Sequence, residues 1–328
     1  MNTRHTSLIS GDVLQLLNFI NQATLGTCLA CIGVIGNLIN LIVFFKQGVS
    51  ESINISLVAL TVSDLGSLLT VQWINLLCNP AFTSSGVPIV RTDIFFLTAG
   101  TPHGLFARVT SWVTAYITIE RCLCVVIPLK VKFVVSPKLT LRVMLVIYVV
   151  MMLTLLPTYA TVYMTWNWYP DVNRTLLGLT LAGGSDVTIF VTYALSASTQ
   201  ITSFLIVVIF TLILITNIRR NSKWRLSSVV FSLDSANEHS KKRDSKTLKM
   251  VTMMAAIYIV CFSPMMMMYI AISSVSGFSA NGPYQNDYFA AWSFADLLDS
   301  LNSSASFFVY YVMSTKYRKT FKEFFRRR

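Results

Sequence analysis

The feature that most constrains this chain is a succession of apolar runs, each long enough to cross a lipid bilayer, separated by short polar connections. The runs fall at about 23–45, 55–78, 94–119, 140–163, 187–216, 249–274 and 289–313. A span needs about 20 helical residues, because the hydrocarbon core is about 30 Å thick and a helix rises about 1.5 Å per residue. Lipid offers the backbone no hydrogen bonds, so each run must close its own as an α-helix. Composition agrees. The chain is 54% hydrophobic and 12% charged, against roughly 25% charged for a soluble domain. The expected fold is an all-α membrane protein, a bundle of seven transmembrane helices over 23–313. An extracellular N-terminus (1–22) precedes it and a short cytoplasmic segment (314–328) follows.

A formal charge of +12 raises nucleic acid as a partner, but the positions of the charges argue against it. With the N-terminus outside, 22 Lys and Arg lie in cytoplasmic segments and three (Arg4, Arg91, Arg174) lie outside. Such asymmetry orients membrane proteins with the basic loops inside. The expected location is the plasma membrane, multi-pass, N-terminus outside and C-terminus inside, with membrane lipids as the partner of the basic charge. The first 22 residues lack a basic segment, short apolar core and cleavage site, so the first span is expected to act as the membrane signal. After the last run, Tyr317, Phe321, Phe324 and Phe325 recur at helical spacing among Lys and Arg. That pattern predicts an amphipathic helix lying on the inner leaflet. The basic connection 219–248 reads as a solvated loop near anionic lipid, and also as part of a docking surface for a cytoplasmic partner.

Several function classes fall away. No nucleophile–base set or metal-ligand cluster is visible, so the chain is not expected to be an enzyme. No lysine lies between Tyr288 and Met313 to form a retinal Schiff base. Neither half-repeats nor broken spans mark a transporter, which remains only a remote alternative.

The third run ends in Glu120-Arg121-Cys122, with Pro128-Leu129 following. Gly36-Asn37 sits in the first span. The second reads Asn54 to Asp64 with Leu57 and Leu60 between, the sixth carries Cys261-Phe262-Ser263-Pro264, and the seventh carries Ser306 to Tyr310. Together these motifs resemble those of rhodopsin-like G-protein-coupled receptors. The stretches Lys46–Leu57 and Trp112–Lys132 look like the expanded chemosensory-type receptors of molluscs.

The resemblance implies a receptor that binds an extracellular ligand and activates a cytoplasmic heterotrimeric G protein. Glu120 would hold Arg121 against its own helix. Once released, the guanidinium can bond a partner's carbonyls, since arginine keeps its charge and donates bidentately. Asp244 is a candidate latch for Arg121, although Lys241, Lys242 and Arg243 could hold it in solvent. Pro264 would kink the sixth helix into a lever, and Phe262 and Tyr310 complete the switch residues with Pro128. No cofactor is implied beyond a possible structural sodium ion, with Asp64 as ligand and Thr110, Asn302 and Ser303 as oxygen donors. A protonated, hydrogen-bonded Asp64 is the alternative.

Ionisable residues inside a span mark functional sites, and the outer half of the bundle offers His103, Arg108, Asp296 and Asp299, with Gln200 as a weaker candidate. A cation beside carboxylates suits a zwitterionic or peptide-like ligand; a structural Arg108–Asp299 pair is the competing reading. His103 stands where amine receptors carry an acid, which argues against a biogenic amine. Odorant-type cues and neuropeptides both remain open. Asn173-Arg174-Thr175 is a glycosylation sequon in an outer loop. The sequence departs from the family at six points: Cys122 and Phe262 stand where it keeps a tyrosine and a tryptophan, and the chain has no cysteines for the usual outer disulfide, no Asn-Pro before Tyr310, no tryptophan in the fourth span and no proline in the fifth.

Overall fold

The computed structural model describes residues 7–79, 82, 86–127, 135–227 and 235–326, and their side chains except at 221–245 and 325. Its long helices are α1 (Gly11–Gln47), α2 (Ser52–Cys78), α3 (Arg91–Val126), α4 (Pro137–Thr161), α5 (Ser185–Ser227), α6 (Ser235–Ser274) and α7 (Gln285–Met313). A short α8 (Thr315–Arg326) follows. Between α4 and α5 the chain forms an antiparallel hairpin of β1 (Val162–Tyr169) and β2 (Arg174–Leu181).

Local chemistry sets several boundaries. Ser10 caps α1 by accepting from the Val13 N–H, and Ser136 caps α4 by accepting from Leu139, with Pro137 behind it in the first turn. Proline is tolerated there because the first amides of a helix have no intrahelical partner. Gly48 ends α1 at φ 83°, a conformation open to glycine at little steric penalty. Two helices locally widen into π geometry, α1 at Phe19–Gly26 and α3 at Phe95–Gly100.

Six of the long helices, α1 to α6, are long and apolar enough to cross a membrane. The seventh apolar run proves more polar than its hydrophobic count suggests. Asp287, Asp296 and Asp299 lie along α7, and Asp296, Asp299, Ser300, Ser303 and Ser304 are all buried. This helix belongs in the bundle through its interior face, which is what an acid-bearing span requires.

The burial pattern inverts that of a soluble protein. Ile35, Phe190, Val260, Met267 and Val312 stand exposed on the outer faces, while Asn37, Asp64, Thr110, Glu120, Gln200 and Asp299 are buried. Lipid is as apolar as leucine, so helix association depends on close packing and interhelical hydrogen bonds. Both occur at the α1–α7 seam. Asn37 donates from Nδ2 to the Ser303 carbonyl at 2.9 Å and accepts from the Ser306 hydroxyl at 3.2 Å. A Cβ added at Gly36 would come within 2.9 Å of Phe307. Helix α3 runs through the middle and packs on α2, α4, α5 and α6, while α7 closes the ring between α6 and α1.

The hairpin is the element that the sequence pattern did not predict. Its register runs from Val162 opposite Leu181 to Tyr169 opposite Arg174, and Asn173 turns the chain in the left-handed region at φ 49°. It is pinned to the start of α3. The Val90 N–H donates to the Leu177 carbonyl, the Leu177 N–H to the Pro88 carbonyl, and the Leu179 N–H to Asp93 Oδ2, each at 2.9 Å. The N-terminal segment is tied down at the same end. The N–H groups of Leu8 and Ile9 both donate to the Asp287 carboxylate at 3.0 Å.

Candidate functional site

Three polar groups are stacked along the bundle axis from the hairpin end to the opposite end. The first surrounds His103. Its Nε2 lies 3.4 Å from Asp299 Oδ2 and 3.8 Å from Asp296 Oδ1, and its Nδ1 lies 3.4 Å from both the Ser67 and Thr70 hydroxyls. Ser67 donates to the same Asp299 oxygen at 2.6 Å. The two acids stand three residues apart on α7, so one helical face presents both to α3. The spacing put Asp296 and Asp299 on one face, and the fold brings His103 to both.

Arg108 is not part of that cluster, which corrects the expected structural pairing with Asp299. The imidazole and Ser67 occupy that carboxylate instead. Arg108 is 5% exposed, yet its Nε and Nη2 have no hydrogen-bond partner. Its guanidinium folds back beside Gly104, with Nη1 3.3 Å from where a Cβ would stand, and the Tyr269 hydroxyl on α6 is within electrostatic range. Tyr269 meets Tyr193 of α5 edge-on at 6.1 Å. Gln200 is fully buried below them, with Nε2 donating to Ser111 at 2.6 Å and to the Tyr258 hydroxyl at 3.3 Å. It ties α5 to α3 and α6 rather than lining open space.

The second group is centred on Asp64. Thr110 donates to its Oδ1 at 3.2 Å and to Ser63 at 2.9 Å. The Ser303 hydroxyl is buried without a partner. A cavity of about 20 Å³ opens beside Asp64, Asn302 and Ser306, enough for one water or a small ion. Carboxylate and neutral oxygens are the donors that hard cations take. Among the described residues no group of three or more His, Cys, Asp or Glu side chains is arranged to hold a metal.

The third group lies at the opposite end. Arg121 Nη2 donates to Glu120 Oε1 at 2.6 Å, and Glu120 is 2% exposed. The second oxygen of Glu120 and the Tyr310 hydroxyl are buried without partners. Tyr310 packs edge-on against Phe44 at 5.1 Å, and Tyr317 of α8 lies 5.9 Å from Tyr310. Tyr317 donates to Asn40 Oδ1 at 2.6 Å, which staples α8 to α1, and burial raises its pKa. A cavity of about 160 Å³ opens among α1, α2, α6, α7 and α8, bordered by Gln47, Met250 and Tyr310. Above it, Phe262 stacks on Tyr258 at 4.5 Å, two residues before Pro264, which lies inside α6. Pro128 and the Asp244 side chain lie outside the described residues. Asn173 is exposed at the hairpin turn.

One set of buried polar residues was missed at the sequence level. Asn18 and Gln22 of α1, Gln72 and Asn75 of α2, and Trp292 of α7 each bury a polar atom without a partner. They lie toward the hairpin end, where Asn21 also bonds Ser293 at 3.1 Å and Gln22 reaches Asp296. The available signal was amides at helical spacing in otherwise apolar helices, Asn18 with Gln22 and Gln72 with Asn75.

No curated protein matches the chain. Residues 24–328 match the family described as "Serpentine type 7TM GPCR chemoreceptor Srw". That family consists of chemoreceptors rather than enzymes, and it accounts for the helical membrane bundle. The chain belongs to the serpentine 7TM GPCR chemoreceptor family Srw: it is a multi-pass membrane receptor that binds an extracellular chemosensory ligand and couples to a G protein.

Proposed function

We propose that this receptor works by the rhodopsin-like mechanism, with ligand at the hairpin end releasing Arg121 at the opposite end to meet a heterotrimeric G protein. The observation that carries this reading is the 2.6 Å contact between Arg121 and Glu120 at the end of α3. It holds the guanidinium against its own helix, at the end of the bundle where a cavity is bordered by α6 and α7. Pro264 supplies no amide hydrogen to its helix, so the end of α6 beyond it can swing away and enlarge that cavity. Ligand then shifts an equilibrium between two helix arrangements rather than creating a new one.

In this reading the hairpin end is extracellular and the basic end cytoplasmic, in the plasma membrane, with α8 resting on the inner leaflet. Asn173 carries a glycan on the outer turn. Asp64, Thr110, Asn302 and Ser303 would hold a sodium ion, which supplies positive charge beside a buried carboxylate. The motifs fit a divergent rhodopsin-like receptor, similar to the expanded chemosensory-type receptors of molluscs. The test is expression with a panel of G-protein chimeras, screened against water-borne odorants, amino acids and peptides. Arg121→Ala is expected to abolish the response at normal surface expression. Full signalling by that variant would sink the mechanism.

A further inference from the structure

At the hairpin end, α3 presents two neighbouring groups that lead in different directions. His103 faces α2 and α7. The guanidinium of Arg108 returns to the level of Gly104, the next residue along, and successive residues diverge by about 100° around a helix. Arg108 therefore faces the α6 side, where Tyr269 lies. The two sides have opposite chemistry, and neither is satisfied internally.

On the first side two carboxylates share one imidazole. Even a protonated His103 balances one of them, and Asp299 Oδ1 is buried without a partner. Gln22 reaches Asp296, and its Oε1 is a buried acceptor that receives no hydrogen bond, as are Asn18 Oδ1 on the same helix and Gln72 Oε1 on α2. An ammonium group has three N–H donors and one positive charge, so it matches both deficits. On the second side Arg108 holds a buried positive charge with two unpartnered nitrogens, and no ion pair joins it to a carboxylate among the described residues. A guanidinium bonds a carboxylate through parallel N–H donors.

We infer that the ligand is a small zwitterion, its ammonium end bound by Asp296 and the amides of α1 and α2 and its carboxylate end bound by Arg108. This rests on the receptor reading above and adds a ligand class to it. Glycylglycine and 5-aminopentanoate are suitable probes, each with its N-acetyl and its carboxamide analogue. Binding is read as a melting shift of the purified full-length receptor, and activation as G-protein turnover in cells. Both zwitterions are expected to bind, and blocking either end is expected to weaken binding by roughly thirtyfold or more. Arg108→Gln is expected to erase the preference for acid over carboxamide, and Arg108→Lys to keep it. Asp296→Asn is expected to erase the preference for free amine over N-acetyl. Blocked analogues that bind as well as their parents would overturn the inference. So would the absence of any shift at millimolar probe in a receptor with intact basal coupling, an outcome that leaves the receptor reading standing. Binding with no G-protein turnover would support the zwitterion and count against the coupling mechanism.

Discussion

Two arginines in the spanning part of helix α3, Arg108 and Arg121, lie about 20 Å apart along its axis, and they are treated in opposite ways. Arg121 has its counter-charge next door in Glu120, at 2.6 Å. Arg108, buried to a similar depth or deeper, has none. Removing an ion from water costs several kcal/mol, which a close partner offsets. Arg121 is therefore a contact already made, and using it means breaking it. Arg108 is a contact not yet made, and in the zwitterion proposal a molecule from outside completes it. On that proposal one helix joins a site that gains energy on binding to a site that must spend energy on switching. That is the arrangement a transmembrane signal needs.

Apolar substitution breaks this comparison most directly. Arg121→Met leaves the Glu120 carboxylate buried alone, and thermal melting of the purified receptor is expected to report a loss of about 2–4 kcal/mol. Arg108→Met removes an unbalanced charge from a dry site, so the same measurement is expected to show a gain of about 1–3 kcal/mol with ligand recognition lost. If both variants shift stability in the same direction, the two arginines are not the opposites described here. A smaller effect sharpens the picture. Glu120→Gln keeps the shape and weakens the hold on Arg121 by about 1 kcal/mol, which is expected to raise ligand-free G-protein turnover about fivefold.

Much of this was legible in the sequence because membranes impose few solutions. Runs of about 20 apolar residues leave a helix as the only backbone answer, and Glu120-Arg121 was visible as an adjacent pair. That Asp296 and Asp299 share one face followed from their three-residue spacing on α7; that His103 meets both did not. The state of Arg108 was not legible. Whether a carboxylate reaches it depends on how α7 is rotated, and Ser67 with His103 had already claimed Asp299. The hairpin was hidden for a different reason. Val162 to Tyr169 continues the apolar character of α4 without a break, and its strand character comes from pairing with Arg174 to Leu181, which no local pattern announces. In α7 the inward stripe of Asp296 and Asp299 was legible from their spacing, and both are buried.

The pinning of the hairpin bears on time rather than on shape. Where the rhodopsin-like receptors that its motifs resemble use a disulfide, this chain has three hydrogen bonds between the hairpin and residues 88–93 at the start of α3, one of them to Asp93. A covalent staple is permanently shut, whereas three bonds worth about 1 kcal/mol each release and re-form on the microsecond-to-millisecond scale of loop motion. The hairpin's hold on the start of α3 is then a reversible one that reductants leave untouched.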